Sequence, residues 1–410
     1  MVFKMLTLSR EKGTGGKIKS TPEDFVVREI EANGAVLKEG VKYSPSDVGD
    51  TNEEEGEFTR FVLQKRDWDT IHALITIGKK FGRGKKSIGY FGSKDRLSVS
   101  VQIASLYGVE PLQLMQVKVK DISINGAWKS SKGIELGKNL GNEFSTVIRE
   151  CKNPDNATEI IEELDGRMPN YFDRQRFGIR MNNADIGACI IKGDFEGAVM
   201  KFLTDTQFES NQNSVAARKR LKEEMDYKAA LSYFPRNLGN ERMVIEYLSR
   251  YDNYANALRK IPRGLLVMFI HSVQSMVFNS ALEARIRDED FKTARTCKKD
   301  FFGFPDIEAA GTGRKGEFAM ANLVGYETDE KEIDDYEREA MEKMGLTTQD
   351  MKIKSMPELS MKGQRRVLLA PIKNLSFEQG PEEESAKVDF AIPSGSYATI
   401  LLNELTKTQE

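Results

Sequence analysis

The sequence predicts an α+β protein in which sheet-forming segments at both ends enclose a helical insertion. Three observations carry this. Residues 17–149 show short runs of period-two alternation broken by turn residues; from Ala184 the apolar spacing becomes helical; and strand pattern returns at 365–370 and 388–392. At 410 residues the chain is long enough for two domains.

In order, residues 17–30 read as a strand, a turn led by Pro22, and a second strand. Residues 46–57 are polar and acidic, including Glu53, Glu54, Glu55 and Glu57, and read as a loop; 58–64 is another strand. Asp69 is placed to cap a helix over 70–81, with Ile71, Leu74, Ile75 and Phe81 along one face and Gly82-Arg83-Gly84 ending it. His72 falls one position off that stripe and reads as a surface or boundary residue, not a catalyst. A short strand over 86–91 and the turn Gly92-Ser93 lead to the charged triplet Lys94-Asp95-Arg96, expected at the start of the next strand. There Leu97, Val99, Val101 and Ile103 alternate with Ser98, Ser100 and Gln102, the pattern of a strand with one buried face. A carboxylate between two cations is favoured in its charged form. Asp95 is therefore a candidate nucleophile; the plainer reading is a turn aspartate with two solvated neighbours.

Strands are expected at 117–124 and 141–149 and a helix at 156–164. The irregular segment 168–178 follows, with Tyr171, Phe172 and Phe177 interleaved with Arg174 and Arg176. Aromatics among arginines suit unstacked bases and phosphates, and equally suit a loop buried on its rings. Helices are expected over 184–192, 195–203, 215–227, 241–248 and 265–287. Gly311-Thr312-Gly313-Arg314-Lys315-Gly316 satisfies G-x-G-x-x-G, but no buried strand precedes it and a strand-like 318–324 follows, which argues against dinucleotide binding. Pro393-Ser394-Gly395 turns into a closing helix over 397–405.

Composition narrows the chemistry. The chain is 39 % hydrophobic and 30 % charged, ordinary for a soluble globular protein, and no apolar run is expected to reach the length of a membrane span. The apolar part of residues 1–7 is too short for a signal peptide. Three dispersed cysteines fit a reducing compartment, and two histidines leave little room for histidine-led triads or metal sites. Net charge is −2, yet residues 78–96 hold seven basic residues (Lys79, Lys80, Arg83, Lys85, Lys86, Lys94, Arg96) against Asp95 alone, a stripe that can bind a polyanion locally. Residues 327–343 reverse the balance, with nine acids against three bases.

Five motifs in register resemble the TruD family of tRNA pseudouridine synthases. They are Lys19-x-x-Pro22-Glu23-Asp24-Phe25; Gly92-x-Lys94-Asp95-Arg96 with Gln102; Gly141-Asn142-x-Phe144; Asn170-Tyr171-Phe172-x-x-Gln175-Arg176-Phe177-Gly178 with Asn182-Asn183; and Pro393-x-Gly395-Ser396-Tyr397-Ala398-Thr399. Asp173 departs from the family pattern, which often has glycine there. The resemblance implies a split catalytic domain, residues 1–183 and 362–410, around a central and mostly antiparallel sheet, with a largely helical family-specific domain inserted over 184–361. It implies isomerisation of uridine to pseudouridine, at uridine 13 of tRNA, by a cytoplasmic enzyme needing no cofactor, metal, protein partner or membrane. Asp95 would be the nucleophile, Lys19 its ion-pair partner, Phe172 the ring beneath the extracted uracil and Asn170 a hydrogen-bonding neighbour. Lys79, Lys80, Arg83, Lys85, Lys86, Lys94, Arg96, Arg174 and Arg176 would meet RNA phosphates. Two rival readings remain: a nucleoside-cleaving hydrolase that activates water with a second carboxylate, Asp24 or Glu29, or with a bound metal, and a non-catalytic RNA-binding or chaperone module.

Overall fold

The computed structural model describes residues 5–51 and 56–408. Residues 1–4 of the amino-terminal segment and 52–55 of the acidic loop, on which two expectations above fall, lie outside the described residues. The chain forms two compact units. The sheet unit comprises Thr7–Asn170, Lys299–Asp306 and Leu369–Glu410, and the helical unit comprises Met1–Leu6, Tyr171–Lys298 and Ile307–Leu368.

The sheet unit begins with β1 (Phe25–Ile30), β2 (Phe58–Arg66), α1 (Thr70–Lys79), β3 (Ile88–Tyr90), β4 (Val99–Tyr107), α2 (Pro111–Met115), β5 (Ile122–Ser130), β6 (Gly141–Arg149), α3 (Asn156–Leu164) and β7 (Arg167–Pro169). Asp69 caps α1 by accepting from the His72 amide at 3.0 Å. The buried stripe of α1 is Thr70, Ala73, Leu74 and Ile77, not the expected line through Ile71 and Ile75, which stay half-buried. The helix is turned inward at Thr70, whose hydroxyl is hydrogen-bonded to Lys94 and Gln102. The strand expected from 117 starts only at Ile122, because Asp121 adopts a left-handed φ of 60° and breaks the extended run.

The helical unit holds α4 (Asn183–Ile191), α5 (Phe195–Thr204), α6 (Gln212–Glu224), α7 (Tyr227–Tyr233), α8 (Gly239–Leu248), α9 (Tyr254–Leu258), α10 (Arg263–Asp288) and α11 (Asp335–Lys343). Strands β8 (Arg295–Lys299), β9 (Pro305–Ala310), β10 (Phe318–Leu323) and β11 (Gln364–Val367) form a second sheet in the order β11-β10-β8-β9. The 26-residue α10 overturns one expectation, since by length and composition it could cross a membrane. Here 72 % of its apolar window is buried in the protein. It packs Phe269, Ile270 and Val273 against Ile186, Ile190 and Phe202. A helix apolar on most sides is a core helix when its polar groups are satisfied within the fold. Ser272 and Ser275 donate to the carbonyls of Met268 and His271, and Gln274 donates to Val324 O at 2.9 Å.

The chain returns as β12 (Leu369–Pro371), β13 (Lys373–Gln379), β14 (Ser385–Pro393) and α12 (Ala398–Thr406). The single strand expected over 365–370 is thus two strands, β11 pairing with β10 and β12 with β7. The main sheet runs β13-β14-β6-β1-β4-β2-β5, with β3 against the second half of β4. Its one parallel pair is β1 with β4; the other neighbours are antiparallel. This is the expected α+β fold with a central, mostly antiparallel sheet.

Candidate active site

The charged triplet does not begin a strand. Residues 91–98 run irregularly between β3 and β4 and are held by side chains instead of a ladder. Gln102 Nε2 donates to Gly92 O at 3.0 Å, Thr70 Oγ1 accepts from the Lys94 amide at 2.9 Å and donates to Gln102 Oε1 at 3.0 Å. Asp95 O accepts from Ser98 Oγ at 2.6 Å and from Lys65 Nζ at 2.8 Å. The polar row of β4 therefore does not face water: Ser98, Ser100 and Gln102 are all fully buried. β4 lies inside the sheet between β1 and β2; Gln102 on it and Ser98 just before it satisfy the adjoining irregular backbone, while the buried Ser100 hydroxyl has no hydrogen-bond partner among the described residues.

Lys94 is likewise not at the surface. Parallel pairing of β1 with β4 ends at Arg28 and Val101, and the Glu29 side chain takes over. Its Oε1 accepts from the Ile103 amide at 2.8 Å and its Oε2 from Lys94 Nζ at 2.7 Å. The lysine is 6 % exposed and the glutamate 0 %. Lys94 thus anchors the segment from below, which corrects its assignment to an RNA-facing stripe. Beside this pair, burial and then the Glu29 charge push the Glu31 carboxyl well above the usual carboxylate range.

Asp95 itself stays open, its side chain 37 % exposed, and forms an ion pair with Lys19. Lys19 adopts φ +56°, a left-handed conformation that a lysine rarely takes and that a turn must impose. The turn is fixed by Asp24, which accepts from the Thr21 amide at 2.9 Å and from Arg149 at 2.8 Å through each oxygen. Phe25, at the start of β1, lies with its ring centroid 4.1 Å from Lys19 Nζ. A cation gripped by a ring and a strained turn thus points at a solvent-accessible carboxylate. Elsewhere in this unit Asn170, just past β7, accepts from Ser396 Oγ at 2.9 Å, joining two segments 226 residues apart.

Comparison with known proteins decides the family. The sequence profile described as tRNA pseudouridine synthase D (TruD) matches residues 4–405. The chain belongs to the TruD family. Two relatives carrying the name probable tRNA pseudouridine synthase D come from Methanosarcina acetivorans (30 % identical, covering 97 % of this chain and 93 % of the relative) and Thermococcus sibiricus (31 %, 98 % and 97 %). A crystal structure from Methanosarcina mazei whose description carries the same family name superposes with a TM-score of 0.75 at 27 % identity, over 98 % of this chain and 96 % of that one.

The remaining expected TruD residues divide by environment. Phe172 belongs to the helical unit and is 6 % exposed. Its ring meets Phe278 edge-on at 5.7 Å, with the guanidinium of Arg366 4.1 Å and that of Arg176 5.2 Å from its centroid. Asn279 on α10 grips the Phe172 backbone through both its amide and its carbonyl at 2.9 Å. Arg174 is exposed and Arg176 half-buried. In the sheet unit Lys79, Lys80, Lys85 and Lys86 are exposed. Arg83 is half-buried, donating to Gly108 O at 2.6 Å, and the exposed Arg96 pairs with Asp67 at 3.2 Å. In the Gly311–Gly316 loop the amides of Thr312, Gly313 and Arg314 converge on Glu317 Oε2, so the protein's own carboxylate fills that nest.

Both candidates for a hydrolase's second carboxylate are engaged. Burial alone would raise the Asp24 carboxyl, but the Arg149 guanidinium and the Thr21 amide outweigh it and hold the pKa below the ordinary range. Glu29 is consumed by Lys94 and Ile103. Neither is free to activate water. Sequence reasoning passed over Lys65 and Thr70, and gave no role to Ser396 although it lies in the last of the five motifs. Only Lys65 carried a local signal: on β2 it falls in the same alternating row as Phe61 and Leu63, both buried, where a lysine is out of place.

Proposed function

We propose that this TruD-family chain isomerises uridine to pseudouridine in tRNA, at position 13, with Asp95 as the nucleophile. The observation that carries the reading is the Lys19–Asp95 ion pair, held on an anchored segment with the carboxylate partly open to solvent. The uridine must leave its stack, because a carboxylate cannot reach C6 or C1′ of a stacked base. Asp95 attacks one of those carbons, the N1–C1′ bond breaks, and the detached ring turns to present C5 to C1′. The C5–C1′ bond forms, the bond from the substrate carbon to Asp95 breaks and returns the free carboxylate, the C5 proton leaves and N1 gains one, so the product is an isomer and no electrons are exchanged with a partner. Lys19 orients the carboxylate in the free enzyme. Asn170, tethered by Ser396, is the hydrogen-bonding neighbour, and Phe172 is the stacking ring. To receive a uracil, Phe172 must shed the Arg366 guanidinium that lies over it. The basic residues of 79–86 grip the tRNA, and the enzyme works in the cytoplasm.

The test is to map pseudouridine in tRNA incubated with purified protein and with Asp95→Asn. The wild type should convert uridine 13, and the variant should bind tRNA with nearly unchanged affinity yet form no pseudouridine. Comparable turnover by the variant would refute the assignment of Asp95.

A further inference from the structure

Lys65 is fully buried on β2, between β4 and the edge strand β5, in the apolar row that contains Phe61 and Leu63. Its register neighbours are Ser100 on β4 and Ile122 on β5, neither of them charged. The charged groups around it are Asp95 and Lys94 of the irregular segment and Asp69 at the start of α1. Burial pushes the ammonium down to about 8, with the Asp95 and Asp69 carboxylates opposing the shift. An ammonium in such a place is unfavourable unless it does something an apolar side chain could not. What it does here is donate to the main-chain carbonyl of Asp95 at 2.8 Å. The Asp95 carboxylate, 37 % exposed, is engaged by Lys19 on its outer side. Ser98 Oγ secures the same carbonyl at 2.6 Å, and Gln102 and Thr70 secure the residues just before it.

We propose that Lys65 is a positioning residue for the nucleophile, holding the Asp95 main chain from inside the sheet so that the carboxylate meets the displaced base at a fixed distance and angle. Resting on the reading of Asp95 as nucleophile, it adds a second lysine to the reaction, one that never touches substrate. The two lysines divide the work: Lys19 orients the carboxylate, and Lys65 sets where the backbone bearing it stands. A displacement of about 1 Å in a reacting group is enough to slow a reaction by about a hundredfold.

The experiment compares Lys65→Met, Lys65→Gln and Lys65→Arg with wild type in single-turnover rate, tRNA affinity and melting temperature. Lys65→Met removes the donor but fills the site, so it should melt at or above the wild-type temperature while its rate falls by about ten- to a hundredfold. Its tRNA affinity should stay within about twofold of wild type. Lys65→Gln, which keeps an N–H donor, should recover part of the rate, giving a graded series that fold stability does not track. Wild-type rates in every variant that folds would overturn the proposal. So would failure of all three to fold, since the lysine would then be structural. A rate loss matched by an equal loss of tRNA affinity would overturn it too. The functional reading fails separately, if wild type forms no pseudouridine or Asp95→Asn still does.

Discussion

Lys94→Met separates a buried anchor from a phosphate-binding cation. In the native protein Lys94 Nζ lies 2.7 Å from Glu29 Oε2, the two side chains 6 % and 0 % exposed. Taking the ammonium away leaves a buried carboxylate held by the Ile103 amide, 2.8 Å from Oε1, and by the neighbouring Glu31 carboxyl. Breaking a buried pair from one side destabilises by about 3–5 kcal/mol. The loss has a ceiling, because the orphaned carboxylate can take up a proton; for an ordinary glutamate at pH 7 that costs about 4 kcal/mol. Destabilisation should therefore be about 3–4 kcal/mol at pH 7 and shrink to roughly half of that at pH 5.5, where protonation is easier. The sign follows from proton counting: the folded variant binds a proton that the unfolded chain has released, so acid favours the fold. Urea unfolding at the two pH values measures the loss, and Lys94→Met with Glu29→Gln should recover most of it. Binding of tRNA should keep its salt dependence, since no cation facing RNA is removed. A stability change under about 1 kcal/mol together with a slope reduced by about 0.7–0.9 would show instead that Lys94 reaches RNA.

Two further outcomes are expected. Neutralising Lys79, Lys80, Arg83, Lys85 and Lys86 together should weaken tRNA binding and reduce the slope of log affinity against log salt by about 0.7–0.9 for each phosphate that no longer meets a cation; an unchanged slope would mean that this stripe faces only solvent. Phe172→Ala removes a ring packed against Phe278 and covered by Arg366, and should lower stability by about 3–5 kcal/mol. In the folded fraction its single-turnover rate should also fall by about ten- to a hundredfold, with Phe172→Tyr much milder. Normal chemistry in that fraction would leave Phe172 a core residue and refute its stacking role.

Features governed by neighbours in the chain were legible from sequence. β6 and α3 have the expected bounds, and Asp69 caps α1, because ladder alternation, helical spacing and caps depend on residues a few positions apart. The linear motifs bearing Lys19 and Asp95 were legible too, and their meeting across 76 residues was implied by the family resemblance and by no local pattern. Tertiary structure decided what covers each face. Period two in β4 marks which residues share a side, but says nothing of what lies against that side; Ser100 and Gln102 read as an outer row and are fully buried beneath an irregular segment. The same blindness placed Lys94 among surface cations and passed over Lys65. A lysine's charge is written in the sequence, but whether that charge meets water, phosphate, Glu29 or the Asp95 carbonyl depends on strands brought together from distant parts of the chain. Composition therefore marked a basic stretch around a carboxylate, and only the packed sheet separated the exposed cations from those that hold the Asp95 segment in place.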